Sequence, residues 1–153
     1  MNDDAGIYAR ELTYLDRQVQ LGIAGERVLA VSFPETPDEE AESGHPLLDR
    51  IETYLGGEPD DFSDVIVALT VPTDRRGVLE ALQEIPYGEE VSVEQLTRMT
   101  PGLDADDESD RRLVRMALEE NPAPLLIPDH RVRDGPSSAP REVTQQLREI
   151  EGL

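Results

Sequence analysis

The sequence predicts an α+β fold, with a small antiparallel sheet and one helix first and a mostly helical part after them. Three observations predict this order. Apolar and β-branched runs dominate the chain up to Phe33, apolar residues recur at helical spacing from Val78 onward, and the pattern changes near Pro72. We therefore expect two subdomains, residues 1–72 and residues 73–153, because a chain of 153 residues can divide into two small parts that share an interface.

Three short runs predict the strands of an antiparallel meander: residues 12–15, 19–21 and 28–33. Gly22 and Gly25 bracket the turn before the third run, as glycines do in hairpin loops.

One helix and one more strand complete the predicted N-terminal part. The helix is predicted by apolar residues at helical spacing, and it stops at Gly56 and Gly57. These apolar residues are Leu47, Leu48, Ile51 and Leu55. Residues 65–69 form a short apolar run, which favours a buried strand.

The helical part begins with an amphipathic helix that ends before Pro86. Its apolar face consists of Val78, Leu79, Leu82 and Ile85. A capping box formed by Ser92 and Gln95 starts a second helix, and Pro101 ends it. The apolar residues of that helix are Val93, Leu96 and Met99.

A third helix is predicted over residues 108–119, and a last one begins near Pro140. The residues expected to face inward are Leu113, Met116 and Ala117 in the third helix, and Val143, Leu147 and Ile150 in the last. Two short helices joined by a turn are typical of a helix-turn-helix, whose second helix meets DNA. The helical part is therefore interpreted as a winged helix-turn-helix domain.

The chain is strongly acidic, with 34 Asp and Glu residues against 14 basic residues, all of them Arg. Since apolar periodicity persists, the acidity indicates a hydrated surface on a folded protein rather than disorder. Microbes that accumulate molar salt make such proteins. At 1 M salt the Debye length falls to about 3 Å, which screens the self-repulsion of a chain with net charge −20. We therefore expect a monomer of the high-salt cytoplasm of a halophilic archaeon, and no membrane partner.

The chain contains no Cys and two His, His45 and His130. Without Cys there is no disulfide, no thiolate ligand and no cysteine nucleophile, and two His leave little for a metal centre. We expect no metal site and no cofactor.

The segment from Asn121 to Val132 resembles the active-site segment of the alkylguanine-DNA alkyltransferases. In that family an Asn-Pro pair leads through a short apolar strand to Pro-Cys-His-Arg-Val, and here Asp129 stands at the position of the cysteine. Other similar segments are residues 78–89 and 92–96, at the start of the family's DNA-binding domain, and residues 45–48 and 54–57, in its ribonuclease-H-like N-terminal half. The chain is identified as a member of the cysteine-less, alkyltransferase-like branch of the methylated-DNA-protein-cysteine methyltransferase family.

The resemblance implies how such a protein meets double-stranded DNA. A helix-turn-helix enters the minor groove, and an Arg of its second helix fills the gap left by a flipped nucleotide. The family spacing places this Arg nine residues before Asn121, at Arg112, whose guanidinium can stack on exposed bases. Arg111 and Arg115 lie on the same or a neighbouring face and could contact phosphates. For each Arg, the alternative is an intrahelical or surface salt bridge.

The resemblance also implies roles for the residues around Asp129. In the family, a His at the position of His130 relays a proton between the cysteine and a Glu of the last helix, here Glu151. With Asp129 already ionised, His130 is interpreted as a satisfied core histidine. Asn121 is expected to bond the backbone of the turn between the two helices, and Arg131 to pair within the domain. A buried Asp129 would need Arg131, His130 or solvent as its partner.

Three further differences from the family bear on function. Val93, which with Ser92 belongs to the expected DNA-contacting residues, replaces an aromatic residue, usually Tyr, that assists base flipping. The loop 133–140 is short and has no aromatic residue, so the alkylguanine pocket would be open or absent. The linker 103–107 adds negative charge beside the DNA surface and would weaken binding.

Three functions follow as hypotheses. The first is a DNA-binding, alkyltransferase-like protein without methyltransferase activity that recognises alkylated or distorted DNA and hands it to a repair-pathway protein. The second is a diverged member used for protein interaction or general DNA contact. The third is an enzyme in which Asp129 accepts the alkyl group, since carboxylates can act as nucleophiles.

Overall fold

Four strands form one sheet in the part of the chain that the computed structural model describes, residues 5–153. The strands are β1 (Gly6–Leu12), β2 (Arg17–Ala24), β3 (Arg27–Ser32) and β4 (Ile66–Val67), in that spatial order. The pairs β1–β2 and β2–β3 are antiparallel, whereas β4 pairs with β3 in parallel. The sheet is therefore mixed, and the α+β class is confirmed.

Two predicted strands differ in the structure. Residues 12–15 lie mostly in the turn after β1, where Asp16 has a positive φ of 52° and Leu15 is buried. Leu15 is apolar because the turn points it into the core, not because it belongs to a strand. In the run 65–69, only two residues pair, and Ile66 is exposed, so the expected buried strand is a short edge strand.

Helix α1 (Pro46–Leu55) is the helix predicted for the N-terminal part. His45 caps it, because its Nδ1 accepts a hydrogen bond from the Leu47 backbone N–H at 3.0 Å. Its buried residues include all four apolar residues predicted for it and also Tyr54.

The second half of the chain contains α2 (Thr73–Leu82), α3 (Val93–Met99), α4 (Glu108–Glu119) and α5 (Arg141–Glu151). The capping box of α3 is confirmed: Ser92 Oγ accepts from the Gln95 N–H at 3.1 Å, and Gln95 Oε1 accepts from the Ser92 N–H at 2.8 Å. Helices α3 and α4 both pack on α2 and on each other.

The inward face of α4 differs from the prediction. Its buried residues are Val114, Ala117 and Leu118, while Met116 is exposed. Leu113 is only half-buried. Both sets of residues fit the helical period, and the packing of α4 against α2 and α3 selects the second set. Met99 at the end of α3 is exposed as well.

Buried apolar side chains from the sheet, from α1 and from the later helices form one contiguous cluster. The two halves of the chain therefore share a core. Helix α2 begins at Thr73, and the subdomain boundary at residue 72 stays a prediction. Over residues 5–153, no helix is both long and apolar enough to cross a membrane.

Candidate functional site

Asp129 lies in a short 3-10 turn, Asp129–Arg131, between α4 and α5, and is only 2 % exposed. One carboxylate oxygen, Oδ1, accepts a hydrogen bond from Ser137 Oγ at 2.7 Å. The other, Oδ2, accepts from the Ser138 backbone N–H at 3.0 Å and from Asn121 Nδ2 at 3.1 Å. Both oxygens are thus engaged and shielded from solvent.

The donors to Asp129 are neutral, which corrects the expectation that Arg131, His130 or solvent would satisfy it. Burial raises the pKa of the Asp129 carboxyl, and its hydrogen bonds, together with the charge of a protonated His130, offset this effect only in part. The physical reason is that the side chains of Arg131 and His130 are directed at another carboxylate, that of Glu151.

The loop 133–140 packs onto both Asp129 and the start of α3. Asp134 Oδ1 accepts a hydrogen bond from the Val93 N–H at 2.7 Å. A Cβ atom added at Gly135 would lie 3.2 Å from Val93 Cγ2, so the loop backbone touches this side chain directly. Val93 and Asp129 are both buried, and the loop covers both side chains.

Asn121 holds the turn that leads from α4 to Asp129. Its Nδ2 donates to the Ile127 carbonyl at 2.9 Å, and its Oδ1 accepts from the Ala123 N–H at 3.0 Å. Leu125, within this turn, has a φ of 83°, a left-handed conformation that residues other than glycine rarely adopt. The expected contact with the turn between the helices is wrong, because Asn121 follows the C-terminal end of α4 and reaches forward into the next segment.

His130 contacts Glu151 as the sequence predicts, with 2.7 Å between Nε2 and Glu151 Oε2. Its Nδ1 is buried and has no hydrogen-bond partner among the described residues. His130 is therefore only half satisfied, because one ring nitrogen faces Glu151 and the other faces no polar group.

Glu151 is the centre of a buried network. Arg131 binds it through two hydrogen bonds, from Nε to Oε1 at 2.8 Å and from NH2 to Oε2 at 3.0 Å. The Tyr54 hydroxyl donates to Oε2, and the Gly88 N–H donates to Oε1 at 3.0 Å. Burial alone would raise the pKa of Glu151, but the hydrogen bonds from His130 and Arg131 and the nearby positive charge lower it to about 2.

This network joins the two halves of the chain. Tyr54 belongs to α1, and Arg131 also lies 3.4 Å from Asp61 in the loop that follows α1. Arg131 NH1 donates to the Ile85 carbonyl at 2.6 Å as well. Burial, followed by the negative charge of Glu151, raises the pKa of Tyr54, so its hydroxyl stays a neutral donor.

The predicted DNA-contacting arginines lie on α4, in different surroundings. Arg112 is exposed, and its nearest acidic group is Glu108, one turn before it, at 3.9 Å. Arg115 is exposed too. Arg111 is half-buried and donates to the Ala105 carbonyl at 2.5 Å, which anchors the linker to the helix.

The start of α3 is less accessible than expected for a DNA-contacting segment. Val93 is buried beneath the loop, and Ser92 caps the helix through its hydroxyl. Part of the acidic linker is structural as well: Asp107 caps α4 by accepting from the Ser109 N–H at 2.8 Å.

Several residues of the site were missed in the sequence. Ser137, Ser138, Tyr54, Asp61 and Asp134 carry no local signal, because their contacts join segments far apart in the chain. The sequence offered one indirect hint: a buried carboxylate needs hydrogen-bond donors, and Ser137 and Ser138 are adjacent hydroxyl residues in the loop that follows Asp129. Over residues 5–153 no group of His, Asp and Glu side chains is arranged to hold a metal ion.

The comparisons with known proteins agree on one family. The family model described as 6-O-methylguanine DNA methyltransferase, DNA binding domain, matches residues 74–151. A methylated-DNA–protein-cysteine methyltransferase from Methanopyrus kandleri is 33 % identical over 108 residues, which are 69 % of this chain and 77 % of the relative. One from Metallosphaera sedula is 26 % identical over 134 residues, which are 83 % of this chain and 81 % of that protein.

Solved structures show the same fold. The Mycobacterium tuberculosis O6-methylguanine methyltransferase superposes with a TM-score of 0.75 at 20 % identity, covering 96 % of this chain and 92 % of the other. A structure of the M. tuberculosis protein in complex with DNA gives a TM-score of 0.72 at 21 % identity, covering 95 % and 92 %. The protein from Pyrococcus kodakaraensis gives 0.71 at 20 % identity, covering 96 % and 99 %.

Proposed function

Because the chain belongs to the 6-O-methylguanine DNA methyltransferase family and contains no cysteine, we propose that it is a DNA-binding, alkyltransferase-like protein that recognises alkylated or distorted DNA without transferring the alkyl group. One observation carries the proposal. The acceptor position is occupied by a buried, fully engaged Asp129, while Arg112 remains exposed on the second helix of the helix-turn-helix.

The surroundings of Asp129 argue against alkyl transfer to its carboxylate. A nucleophile must approach within about 3–3.5 Å of the reacting carbon, and both Asp129 oxygens instead accept hydrogen bonds from Ser137, Ser138 and Asn121. The raised pKa of Asp129 further disfavours the ionised form that would attack. We expect no methyl adduct on Asp129 by mass spectrometry after incubation with methylated DNA.

The exposed face of α4 supports DNA contact. Within residues 5–153, no buried ion pair holds Arg112 or Arg115 on this face, so their guanidinium groups can stack on bases or bind phosphates. Glu108, which lies 3.9 Å from Arg112, is itself exposed, and such surface pairs are worth only about 0–1 kcal/mol. DNA can therefore compete for Arg112 at small cost.

The packed loop bears on which damage is recognised. With the loop over the buried Asp129 and Val93, a flipped base would have to displace the loop to reach Asp129. We infer that the protein reads weakened pairing or stacking through Arg112, so distorted duplexes should bind at least as well as methylated ones. A damaged or mismatched base is the easiest to displace, which gives selectivity without a base pocket.

A second candidate, a diverged member used for general DNA contact or protein interaction, is favoured by the same closed loop and by the acidic linker 103–107. The charges of that linker lie next to the N-terminal end of α4 and repel phosphates at low salt.

Fluorescence anisotropy with three duplexes separates these candidates. The duplexes are identical except for a central guanine, an O6-methylguanine or a mismatch. We expect tighter binding to the two altered duplexes, and Arg112→Ala should weaken that binding about tenfold, the loss typical of one base-contacting Arg. Arg27→Ala, an exposed Arg on β3, is the matched control and should leave affinity unchanged.

The binding assay needs a salt series, because phosphate contacts weaken as salt rises, whereas a chain of net charge −20 gains from screening. Circular dichroism over the same series identifies the salt range in which the protein is folded. Equal affinity for the three duplexes, unchanged by Arg112→Ala, would favour the second candidate. It would contradict lesion recognition.

A further inference from the structure

Met116 is an exposed apolar side chain on the surface that the proposed function assigns to DNA. Among residues 5–153, the exposed large apolar side chains are Tyr14, Leu29, Ile66, Met99 and Met116. Two of these are methionines on the helices of the helix-turn-helix, and only Met116 lies on its second helix. The core does not need Met116, because Val114, Ala117 and Leu118 already form the buried side of α4.

Met116 lies beside the two exposed arginines. Arg112 precedes Arg115 by three residues and Met116 by four, so on the exposed face of α4 its side chain lies next to both of them. The ends of this face carry Glu108 and Glu119, which are also exposed. The centre of the face is therefore cationic and apolar, while its ends are acidic.

We propose that Met116 is an apolar wedge that inserts between two stacked bases of the bound DNA, one helical turn from Arg112. This inference rests on the proposed DNA binding and adds a second recognition residue to it. Proteins that enter a DNA groove often insert a Met, Leu, Ile or Phe side chain into a base step, which unstacks and kinks the duplex. Met suits this role because its side chain is unbranched, flexible and polarisable and so adapts to the faces of the bases.

The wedge explains why distorted DNA would be preferred. Unstacking a base step costs a few kcal/mol in an intact duplex and less where pairing is already weak. An inserted Met116 would thus discriminate between intact and damaged duplexes without a pocket for the base. Arg112 can fill the hydrogen-bonding positions that the opened step exposes.

A duplex with 2-aminopurine next to the central mismatch tests the wedge, because this base becomes more fluorescent when it is unstacked. We expect fluorescence to rise when the wild-type protein binds. Met116→Ala should lose most of that rise and bind about tenfold more weakly, as expected when most of a buried Met side chain is removed. Met116→Leu, which keeps an apolar side chain of similar length, should preserve both signals.

Met99→Ala is the matched control, since Met99 is the exposed methionine of α3 and should leave both signals unchanged. If Met116→Ala binds and unstacks like the wild type while Arg112→Ala weakens binding, the wedge is wrong and DNA binding stands. A fluorescence signal that does not rise with bound wild-type protein also overturns the wedge. If the wild type binds none of the duplexes, both the wedge and the proposed function fail.

Discussion

Asp129 and Glu151 are two buried carboxylates in the same part of the molecule, and their electrostatic surroundings are opposite. Glu151 binds the guanidinium of Arg131 and contacts His130, which lower its pKa to about 2. Asp129 is bonded by Ser137, Ser138 and Asn121, and its pKa is raised by burial. Of these two buried carboxylates, only the one at which cationic side chains are directed has a lowered pKa.

The two carboxylates also stabilise different parts of the structure. The Glu151 network joins α1, the Asp61 loop and α5, so it holds the two halves of the protein together whether or not a nucleophile is present. The neighbourhood of Asp129 instead holds the loop 133–140 down. The contact between His130 and Glu151 thus belongs to the contacts between the two halves, while Asp129 anchors the loop.

Breaking the Glu151 network should have the largest effect. We expect Glu151→Gln to lower the free energy of unfolding by about 3–5 kcal/mol, because the buried Arg131 would lose its buried carboxylate partner and keep only the half-exposed Asp61 at 3.4 Å. Urea unfolding at one fixed KCl concentration measures this. Urea is uncharged and does not change the screening on which an acidic chain depends.

Glu149→Gln is the matched control, because Glu149 is exposed on the same helix and should change stability by less than about 0.5 kcal/mol.

The contribution of Glu151 to the free energy of unfolding also depends on pH. Since its folded pKa is below the ordinary value of 4.5, this contribution is present above pH 4.5 and is lost as pH falls towards about 2. A Glu151→Gln variant as stable as the wild type would contradict the role of this network.

Removing the side chain of Asp129 should have a smaller effect. Asp129→Ala deprives the Ser138 N–H, Asn121 Nδ2 and Ser137 Oγ of their acceptor, and we expect a loss of about 2 kcal/mol, the range for stranded buried donors. The loss is limited because a charge that the fold tolerates poorly is removed too. Asp106→Ala, an exposed Asp of the linker, is the control in the same urea experiment. A loss as large as that of Glu151→Gln would remove the contrast between the two carboxylates.

Features coded by neighbouring residues could be predicted from the sequence. The capping box at Ser92 and the bounds of α4 follow from local spacing, and the structure has both. The first strand was misplaced because its pairing with β2 is not local: the structure pairs Gly6–Leu12, a run with weak alternation, and residues 13–16 form the turn between the two strands. Cross-strand contacts decide such cases.

The residues of the candidate site likewise differ in whether the sequence predicts them. His130 could be assigned by resemblance because it lies in the motif, and Glu151 because the family has a Glu on its last helix, whereas the partners of Asp129 could not. The family motif has Cys where this chain has Asp129, and Ser137 and Ser138 come from a loop that differs from the family pattern. Their pairing with Asp129 depends on how the loop packs through Gly135 against Val93, which no periodicity in the sequence reports.

The smallest and most discriminating change is Asp129→Asn, which keeps the shape of the side chain and removes its charge. The Asn oxygen can replace Oδ2 as the acceptor for Ser138 and Asn121, and its NH2 group can donate to Ser137 Oγ, whose hydroxyl then turns away. The Ser138 N–H and Asn121 Nδ2 thus keep their acceptor. Because burial raises the folded pKa of Asp129 above 3.8, its ionisation weakens the fold as pH rises from 3.8 through the folded pKa. We therefore expect Asp129→Asn to equal the wild type near pH 3.8 and to exceed its stability at pH 7, measured by urea unfolding at several pH values. If the variant is instead less stable at pH 7, and the deficit grows with pH, neutral donors do stabilise the charged carboxylate. Asp129 would then resemble Glu151 rather than contrast with it.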